Sequence, residues 1–573
     1  MKFKTLALAA ALVASSAANA VSYVKQDNLE KHIAVNGIAG NVKVGNEVPM
    51  PVITWGADMR TELVVNSNKG MNFRLELQDS LVEQMTQYIS GYTPYFRGTM
   101  SQGAILNYMV RNNPDMAPIA IVKLSDSRGG DVLVTKNGIT NLKELCSGKK
   151  TIAVQAYGPH LNLLNRALKD GGCSIDDVNV KWVADLTESV NSPLEALYED
   201  NVDAAIMISP DAAIATSSAN GSGVGDGSDN SVKGARSMFS TRTAGTTTMD
   251  MIFVRKDYFD ANRNKIGAFV HELLISVETA ESLIKTKNNA HNRWLKRSAN
   301  LLFNDDSMDV DAGFLYSDAK HSTFVNNVNY FLNPDEPRNF ARLTTEVSEF
   351  MVELGLIDQV RPIAWAEWNF DSFKKGIKNT KVDIDTSVVN QAAIAKIIEK
   401  KRKEGTLEDS QFIKFPILFQ PNTTAFTPDL YAADFKEFVD KKAVYPGAVM
   451  TLEGHCDPLE YQKVMKKPGY AEKTYGKSKD KAAPLVRQSC YDTGIQRAMQ
   501  VRDAIIKYAK DTMNLPLTAD QFQILSHGLE KPVTGFCGNM PCAIKSKTDW
   551  LKNMRVEVGV TVVEAEASEF ELL

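Results

Sequence analysis

Histidine is scarce in this chain. Seven occur in 573 residues, none at H-x-x-x-H spacing, and the absence of an H-E-x-x-H segment excludes the helix of a zinc protease. Positive charge is not in excess either. Sixty-five Lys and Arg face 69 Asp and Glu, a formal charge of −4, and the basic residues are scattered instead of lining one face. The electrostatic footprint of a nucleic-acid binder is therefore missing. After residue 20 no apolar run approaches the ~20 residues needed to cross a bilayer, and no Cys stands at residue 21 to accept a lipid. What remains is an ordinary globular composition, 44% hydrophobic and 23% charged, which rules out a disordered or fibrous chain. At ~150 residues per domain the length suggests about three or four folding units, so a single small module is excluded too.

The first twenty residues carry Lys2 and Lys4, an apolar stretch, and then Ala18-Asn19-Ala20, the small-x-small pattern of a secretory signal. The mature chain is expected to begin at Val21 and to be exported. In an oxidising compartment the six cysteines favour disulfides over a zinc site. Sequence neighbourhood suggests Cys146 with Cys173, Cys456 with Cys490, and Cys537 with Cys542, out of the fifteen pairings that six cysteines allow.

From about Val52 to Met251, short apolar runs end in small polar residues and are followed by helix-like stretches, which is α/β patterning. Ile119 to Leu124 ends in Ser125-Asp126-Ser127-Arg128-Gly129-Gly130. Thr151 to Val154 ends in Gln155-Ala156-Tyr157-Gly158-Pro159-His160, and Ala204 to Ile208 ends in Ser209-Pro210-Asp211. Val178, Val180 and Trp182 alternate at period two and mark a further strand. In open parallel sheets ligands settle at the carboxyl ends of strands, so these three junctions are pocket candidates. At any one position the same Ser, Asp and Gly also serve simply as turn and N-cap residues; it is their recurrence that points to a pocket. Asn220 to Ser231 is a Gly/Ser/Asp stretch with neither the strand of a dinucleotide loop nor the closing glutamate of a calcium loop, and it reads as a flexible surface loop. Lys381 to Gln411 reads as a linker helix with a charge run, Glu399 to Glu404, on a solvated face. A new apolar pattern starts at Phe412.

In this last part, Phe415 to Phe419 reads as a strand, Asn422-Thr423 as a turn, Leu430 to Val439 as a helix and Ala448 to Glu453 as a strand running into Gly454-His455-Cys456-Asp457. With Arg497-Ala498 opening a helix motif, Gly528 in the next loop, and Asn553, Arg555, Val556 and Glu557 on a final strand, residues from about Phe412 to Val563 resemble the OmpA-like peptidoglycan-binding family. The resemblance implies that Asp457 and Arg497 hold the zwitterionic diaminopimelate side chain of a wall stem peptide, one as anion and one as planar bidentate cation. Asn422, Thr423 and Arg555 complete that expected site, and His455 is expected to be structural. The sequence departs from the family pattern at Cys456, where a hydroxyl is usual, and at Cys490, where an asparagine is usual. Asp457 and Arg497 also lie forty positions apart, which implies an inserted lobe around Tyr461 to Gln488, with a Cys456–Cys490 bridge holding it.

The front part carries Thr54-Trp55-Gly56-Ala57-Asp58, Lys123 to Ser127 with Gly129-Gly130-Asp131, Leu142 to Gln155, Ser192 to Leu197, Asp203 to Asp211, and Lys233-Gly234-Ala235 with Ser240-Thr241. In that order, from about Val48 to Thr380, they resemble periplasmic ABC-type solute-binding proteins of the nitrate, sulfonate and thiamine-precursor group. Such proteins are two α/β lobes that close on a small molecule at a hinge. The resemblance makes Trp55, Asp58, Ser125, Ser127, Gln155, Tyr157, His160, Ser209 and Asp211 the candidate ligand residues, in a mostly preformed cleft. Trp55 reads equally as core. The cysteine-rich active-site segment of the pyrimidine-forming enzymes in that group is absent. Ser147-Gly148-Lys149-Lys150 satisfies S-x-x-K but lacks the companion motifs of penicillin-binding enzymes.

These readings predict an α/β two-lobed periplasmic binding protein (type II-like) followed by an α+β OmpA-like domain. The expected division is 1–20 signal peptide, 21–47 N-terminal extension, 48–380 two-lobed module, 381–411 helical linker and 412–573 wall-binding domain. The expected role is non-catalytic, without cofactor or metal: capture of a small polar solute by a periplasmic protein held to peptidoglycan. The expected partners are the solute, the wall and an inner-membrane transporter or envelope complex. The alternatives are an envelope assembly factor that uses the solute-binding fold as a protein-interaction surface and, behind it, a thiamine-precursor-type enzyme.

Overall fold

The computed structural model describes residues 21–67, 72–187, 189–219, 222–228, 230–245, 247–381, 411–421, 423–445, 448–515, 517–538, 540–543 and 546–561. The expected signal peptide and nearly all of the expected linker lie outside them.

The front part folds as two lobes. In the first, the central strand Pro118–Ser127 lies between Ala319–His321 and Met249–Arg255, and Tyr95–Thr99 closes the order. Met249–Arg255 runs antiparallel to both its neighbours, so the parallel sheet expected for this region is not what forms here. Parallel pairing in this lobe is confined to Val48–Val52 with Phe73–Leu77 and the short Ala364–Trp365 with Pro118–Ser127. The second lobe is a six-stranded sheet in the order Tyr23–Val24, Asn179–Val183, Thr151–Gln155, Ala204–Ile208, Asp131–Thr135 and Arg236–Ser240. Here Thr151–Gln155 is parallel to both neighbours, as the α/β patterning predicts. The chain crosses between lobes from Ser127 to Asp131 and again from Ser240 to Met249.

Local chemistry sets the helices beside these sheets. Thr99 and Gln102 form a reciprocal capping box that starts Met100–Met109, and Ser192 caps Pro193–Tyr198 with proline at the first helical position. The expected strand at Ile119 is longer than its apolar run, because Ser125, Asp126 and Ser127 continue it and all ten residues are buried. Ser125 Oγ bonds Asp250 on the neighbouring strand, Asp126 pairs with Lys123 of the same strand and Ser127 Oγ meets Thr241 on a crossover, so polarity does not end the strand.

Residues 21–47 are part of both lobes. Tyr23–Val24 adds an antiparallel edge to Asn179–Val183, while Leu29 and Ile33 are buried in the core of the first lobe with Tyr88, Phe96 and Tyr108. Glu30 pairs with Arg111, and Gln26 and Asp27 hydrogen-bond Tyr157 on the way across.

The last part is a four-stranded sheet in the order Gln411–Leu418, Arg555–Thr561, Val449–His455 and Phe522–Gly528, with only the last pair parallel. Helices Ala432–Val444 and Lys479–Met513 cover one face and bury Phe435, Phe438, Ala498, Val501 and Ile505 against Met450, Leu452 and Val556. The helix expected at Leu430 starts at Ala432, because Pro428 first opens a 3-10 turn. The Arg497-Ala498 motif does not open its helix: the insertion extends that helix back to Lys479, leaving Arg497 midway. The inserted lobe adds Leu459–Lys466 and Tyr470–Tyr475 and has its own small core of Tyr461, Val464, Ala471 and Val486. All three expected disulfides form: Cys146–Cys173, Cys456–Cys490 and Cys537–Cys542. This module meets the second lobe where Lys441 and Tyr445 engage Asp170, and meets a helix packed on the first where Arg342 Nη2 donates to the Met513 carbonyl at 3.1 Å. No helix among the described residues is long and apolar enough to cross a membrane.

Candidate functional site

The crossovers between the lobes gather most of the candidate ligand residues. Trp55 Nε1 donates to Ser125 Oγ at 3.0 Å, and the indole lies so close to the backbone that a Cβ on Gly130 would come within 2.5 Å of its ring. Only glycine fits there. Ser127 Oγ is 2.8 Å from Thr241 Oγ1, which also accepts from the Gly129 and Asp131 amides at 3.0 and 3.2 Å. His160, fully buried ahead of helix Leu161–Gly171, places Nε2 3.1 Å from Asp131 Oδ1 but off hydrogen-bond geometry. Asp131 Oδ2, both His160 nitrogens, Thr247 Oγ1 and Thr248 Oγ1 are buried with no hydrogen-bond partner among the described residues. Unmet polar atoms on and beside the crossovers are what a polar ligand would satisfy.

Tyr157 sits in the left-handed region at φ +57°, in the turn after strand Thr151–Gln155. Its carbonyl accepts from Gln102 Nε2 of the first lobe at 3.2 Å, its amide donates to Gln26 Oε1 at 2.7 Å, and its hydroxyl donates to the Asp27 carbonyl at 2.9 Å. The ring expected to line a ligand cleft thus pins the N-terminal extension. Gln155 is half-buried at the end of its strand. Ser209 donates from its amide to the Gly130 carbonyl and from Oγ to Asp318 Oδ2 at 2.6 Å.

Two candidates are placed otherwise. Asp58, read as a ligand carboxylate, is fully buried and held by Arg97, whose Nε lies 3.0 Å from both of its oxygens. Arg97 Nη1 also donates to Asp250 Oδ1 at 2.9 Å, and Ser125 Oγ to Asp250 Oδ2 at 3.2 Å. Burial pushes the Asp58 carboxyl up to about 6 against the pull of Arg97, and pushes Asp250 up as well. Asp211, in the first turn of Ser209–Ala215, accepts from Thr187 Oγ1 at 3.1 Å. Sequence reasoning missed Arg97, Asp250, Asp131, Thr241 and Gln102. A signal existed for the first two, each a lone charge inside an apolar strand (Tyr95-Phe96-Arg97 and Met249-Asp250-Met251), a pattern that marks a buried pair. The S-x-x-K segment forms no catalytic pair, since Ser147 Oγ donates to the Lys143 carbonyl and Lys150 stands 3.9 Å from Asp203.

In the last module, strand Val449–His455 ends beside the long helix at a contact that requires glycine: a Cβ on Gly454 would lie 2.1 Å from the Gly494 carbonyl oxygen. This close approach brings the end of the strand, with Asp457 two residues beyond His455, beside the helix that carries Arg497. Arg497 is buried, donating from Nε to the Thr423 carbonyl and from Nη1 to the His455 carbonyl, both at 3.2 Å, with the Phe419 ring beneath it. No carboxylate among the described residues stands within ion-pairing distance of it. Half-buried Asp457 accepts from the Leu459 amide at 3.1 Å. Burial pulls the Arg497 guanidinium down to about 10, with Asp457 opposing, and burial raises the Asp457 carboxyl, with Trp550, Leu459, Lys463 and Arg497 opposing. Arg555 is taken up by Glu557 Oε1 at 2.7 Å and by the Lys531 and Lys552 carbonyls. Asn422 lies outside the described residues.

The chain joins a two-lobed solute-binding fold to an OmpA-like fold. That assignment rests on the strand orders and the paired crossovers. No family model and no curated protein matches the chain. Among solved structures it is similar to the periplasmic aliphatic sulphonate binding protein SsuA from Escherichia coli, at 14% identity over 56% of this chain and 91% of that one, TM-score 0.39. It is also similar to the periplasmic nitrate-binding protein NrtA from Synechocystis, at 12% identity over 47% and 70%, TM-score 0.33. The peptidoglycan-associated lipoprotein from Burkholderia pseudomallei is similar at 16% identity over 26% of this chain and 89% of that one, TM-score 0.17.

Proposed function

We propose that this protein is a non-catalytic periplasmic receptor that binds a small polar solute between its lobes and is held to peptidoglycan by its last module. The observation that carries the wall-binding half is the unpaired buried guanidinium of Arg497 within electrostatic reach of Asp457. One cation and one anion at a shared hollow suit a ligand with both a carboxylate and an ammonium, the chemistry of a diaminopimelate stem peptide. The Thr423 carbonyl holds Arg497 by accepting from Nε, while Arg555 contributes by setting Glu557. The solute-binding half is supported by the unmet polar atoms of Asp131, His160, Thr247 and Thr248 beside Trp55, Ser125 and Ser127. Gln155, Tyr157 and Ser209 edge the same region.

A second reading has a specific observation behind it. Residues 21–47 bridge both lobes, and the first lobe carries a cavity of about 510 Å³ lined by Leu274, Val277, Glu281, Lys285, Phe324 and Ile377. A receptor strapped in this way also suits an envelope assembly factor that presents its surface to a partner.

Pelleting with purified sacculi tests the first reading. Asp457→Ala removes a charged partner from a half-buried position, and binding should weaken about tenfold or more while the melting curve holds. Equal pelleting of variant and parent refutes wall binding through this site. A thermal-shift screen of small anions, amines and amino acids tests the solute: a ligand that raises the melting point of the parent but not of Trp55→Ala supports it, and a screen without any shift favours the assembly role.

A further inference from the structure

The sheet of the last module carries a second cluster that neither half of the proposed function uses. Glu453 and His455 alternate on one face of strand Val449–His455, and the parallel neighbour Phe522–Gly528 brings up His527. Glu453 pairs in register with Leu525 and His455 with Gly528, and the register shift between them falls at His527. The three side chains therefore converge: their donor atoms lie within 4.8 Å of one another, His527 Nε2 stands 2.7 Å from Glu453 Oε2, and the two imidazole rings are 5.1 Å apart. All three are buried, at 6%, 1% and 3% exposure for Glu453, His455 and His527.

A plain His527–Glu453 hydrogen bond accounts for two of the three. It does not account for His455, whose Nδ1 and Nε2 both lack a hydrogen-bond partner among the described residues although the ring is almost wholly enclosed. A neutral imidazole has one donor and one acceptor, and burying both unmet is a cost folded proteins avoid. An ion bound by the bare nitrogen removes it.

We propose that Glu453, His455 and His527 form a binding site for a divalent transition-metal ion of the zinc class. Two imidazoles and one carboxylate are a zinc donor set, and three protein ligands leave a fourth position for water. The surrounding cations are compatible with this. Arg555 is neutralised by Glu557, and Lys531, 3.6 Å from Glu453, is half-exposed and free to swing into solvent. The bound ion would brace the end of the strand whose His455 carbonyl receives Arg497 and which leads directly to Asp457.

The full chain, stripped with a chelator and titrated with zinc chloride or cobalt chloride, tests the site without any wall fragment. One equivalent should bind, raising the melting point, and cobalt should give the visible absorption of a four-coordinate site. His527→Gln and His455→Gln should each weaken binding at least about 100-fold. Lys531→Ala, a change on a half-exposed side chain, should tighten it about fivefold by removing a competing cation from Glu453. No uptake by the parent at about 0.1 mM metal overturns the proposal, and so does uptake unchanged in both histidine variants, which would assign it to surface groups such as His32. Should His455→Gln fail to fold, His527→Gln and Lys531→Ala decide: unchanged affinity in both refutes the site.

Discussion

Arg97→Met is the most informative single change in the front module. It removes the one guanidinium that neutralises two carboxylates, Asp58 at 0% exposure and Asp250 at 4%. Deleting one partner of a buried pair costs about 3–5 kcal/mol, because the remaining charge has lost its counter-ion and cannot reach water. The cost should depend on pH in a defined direction. A carboxyl whose folded-state pKa is raised is held more tightly protonated by the folded form, so stability is greatest below its unfolded value and falls as pH rises toward the folded value. In the parent this window runs from 3.8 up to about 6 for Asp58. Without Arg97 both carboxyls move higher, fold protonated at pH 5, and the deficit there should be smaller than at pH 7 by about 2 kcal/mol. Urea unfolding followed by tryptophan fluorescence reports the right region, since Trp55, Trp294 and Trp368 all pack in the first lobe. Adding Asp58→Asn and Asp250→Asn to Arg97→Met should recover most of the loss at pH 7. A deficit below about 1 kcal/mol, or one equal at pH 5 and 7, would falsify the account of this ionic cluster.

Two further outcomes follow from the geometry. Opening the Cys456–Cys490 bridge, which closes 34 residues, should destabilise the inserted lobe by about 4 kcal/mol through lost loop-closure entropy; trypsin should then cut between Lys466 and Lys481 under reducing conditions, and an unchanged cleavage rate counts against the bridge as its staple. His321, stacked on Tyr316 and donating from Nε2 to the Tyr316 carbonyl at 3.0 Å, is depressed by burial to about 3. A lowered histidine contributes stability that is complete above its unfolded value of 6.5 and is lost as pH falls toward 3, so the first lobe should lose about 2 kcal/mol between pH 6.5 and pH 5. His321→Gln should flatten that slope, and a slope identical to the parent's sets the assignment aside.

Much of the last module was legible because its signals are local. The apolar run Ala448 to Glu453 leading into Gly454-His455-Cys456-Asp457 marks the strand Val449–His455, motif order marks the helix that carries Arg497, and two of the cysteines sit where the chain departs from the family pattern. The position of Arg497 within its helix was not legible, since Pro484 argues against a helix through the inserted residues Lys479 to Gln488, yet the helix runs on through it. In the front module the polar ends of the apolar runs do collect at the crossovers, but the role of each was hidden. Asp58 is four residues beyond Thr54 and opens the helix Asp58–Asn66, yet its partner is thirty-nine positions away on strand Tyr95–Thr99. Nothing in the composition of residues 21–47 shows that they would tie the lobes together.

The amino-acid sequence alone pointed to the two-part architecture, to the three disulfide pairs that form, and to Asp457 and Arg497 as a candidate pair. These depend on periodicity, motif order and neighbourhood, which act over a few residues or within one supersecondary unit. Only the tertiary structure decided that Asp58 belongs to Arg97 and Asp250, that Tyr157 holds Gln26 and Asp27, and that Glu453, His455 and His527 converge. Each of those groupings joins strands or segments far apart in the chain, with Arg97 and Asp250 separated by 153 positions. Desolvation makes such charges choose one another only once the sheets have formed and water has been excluded.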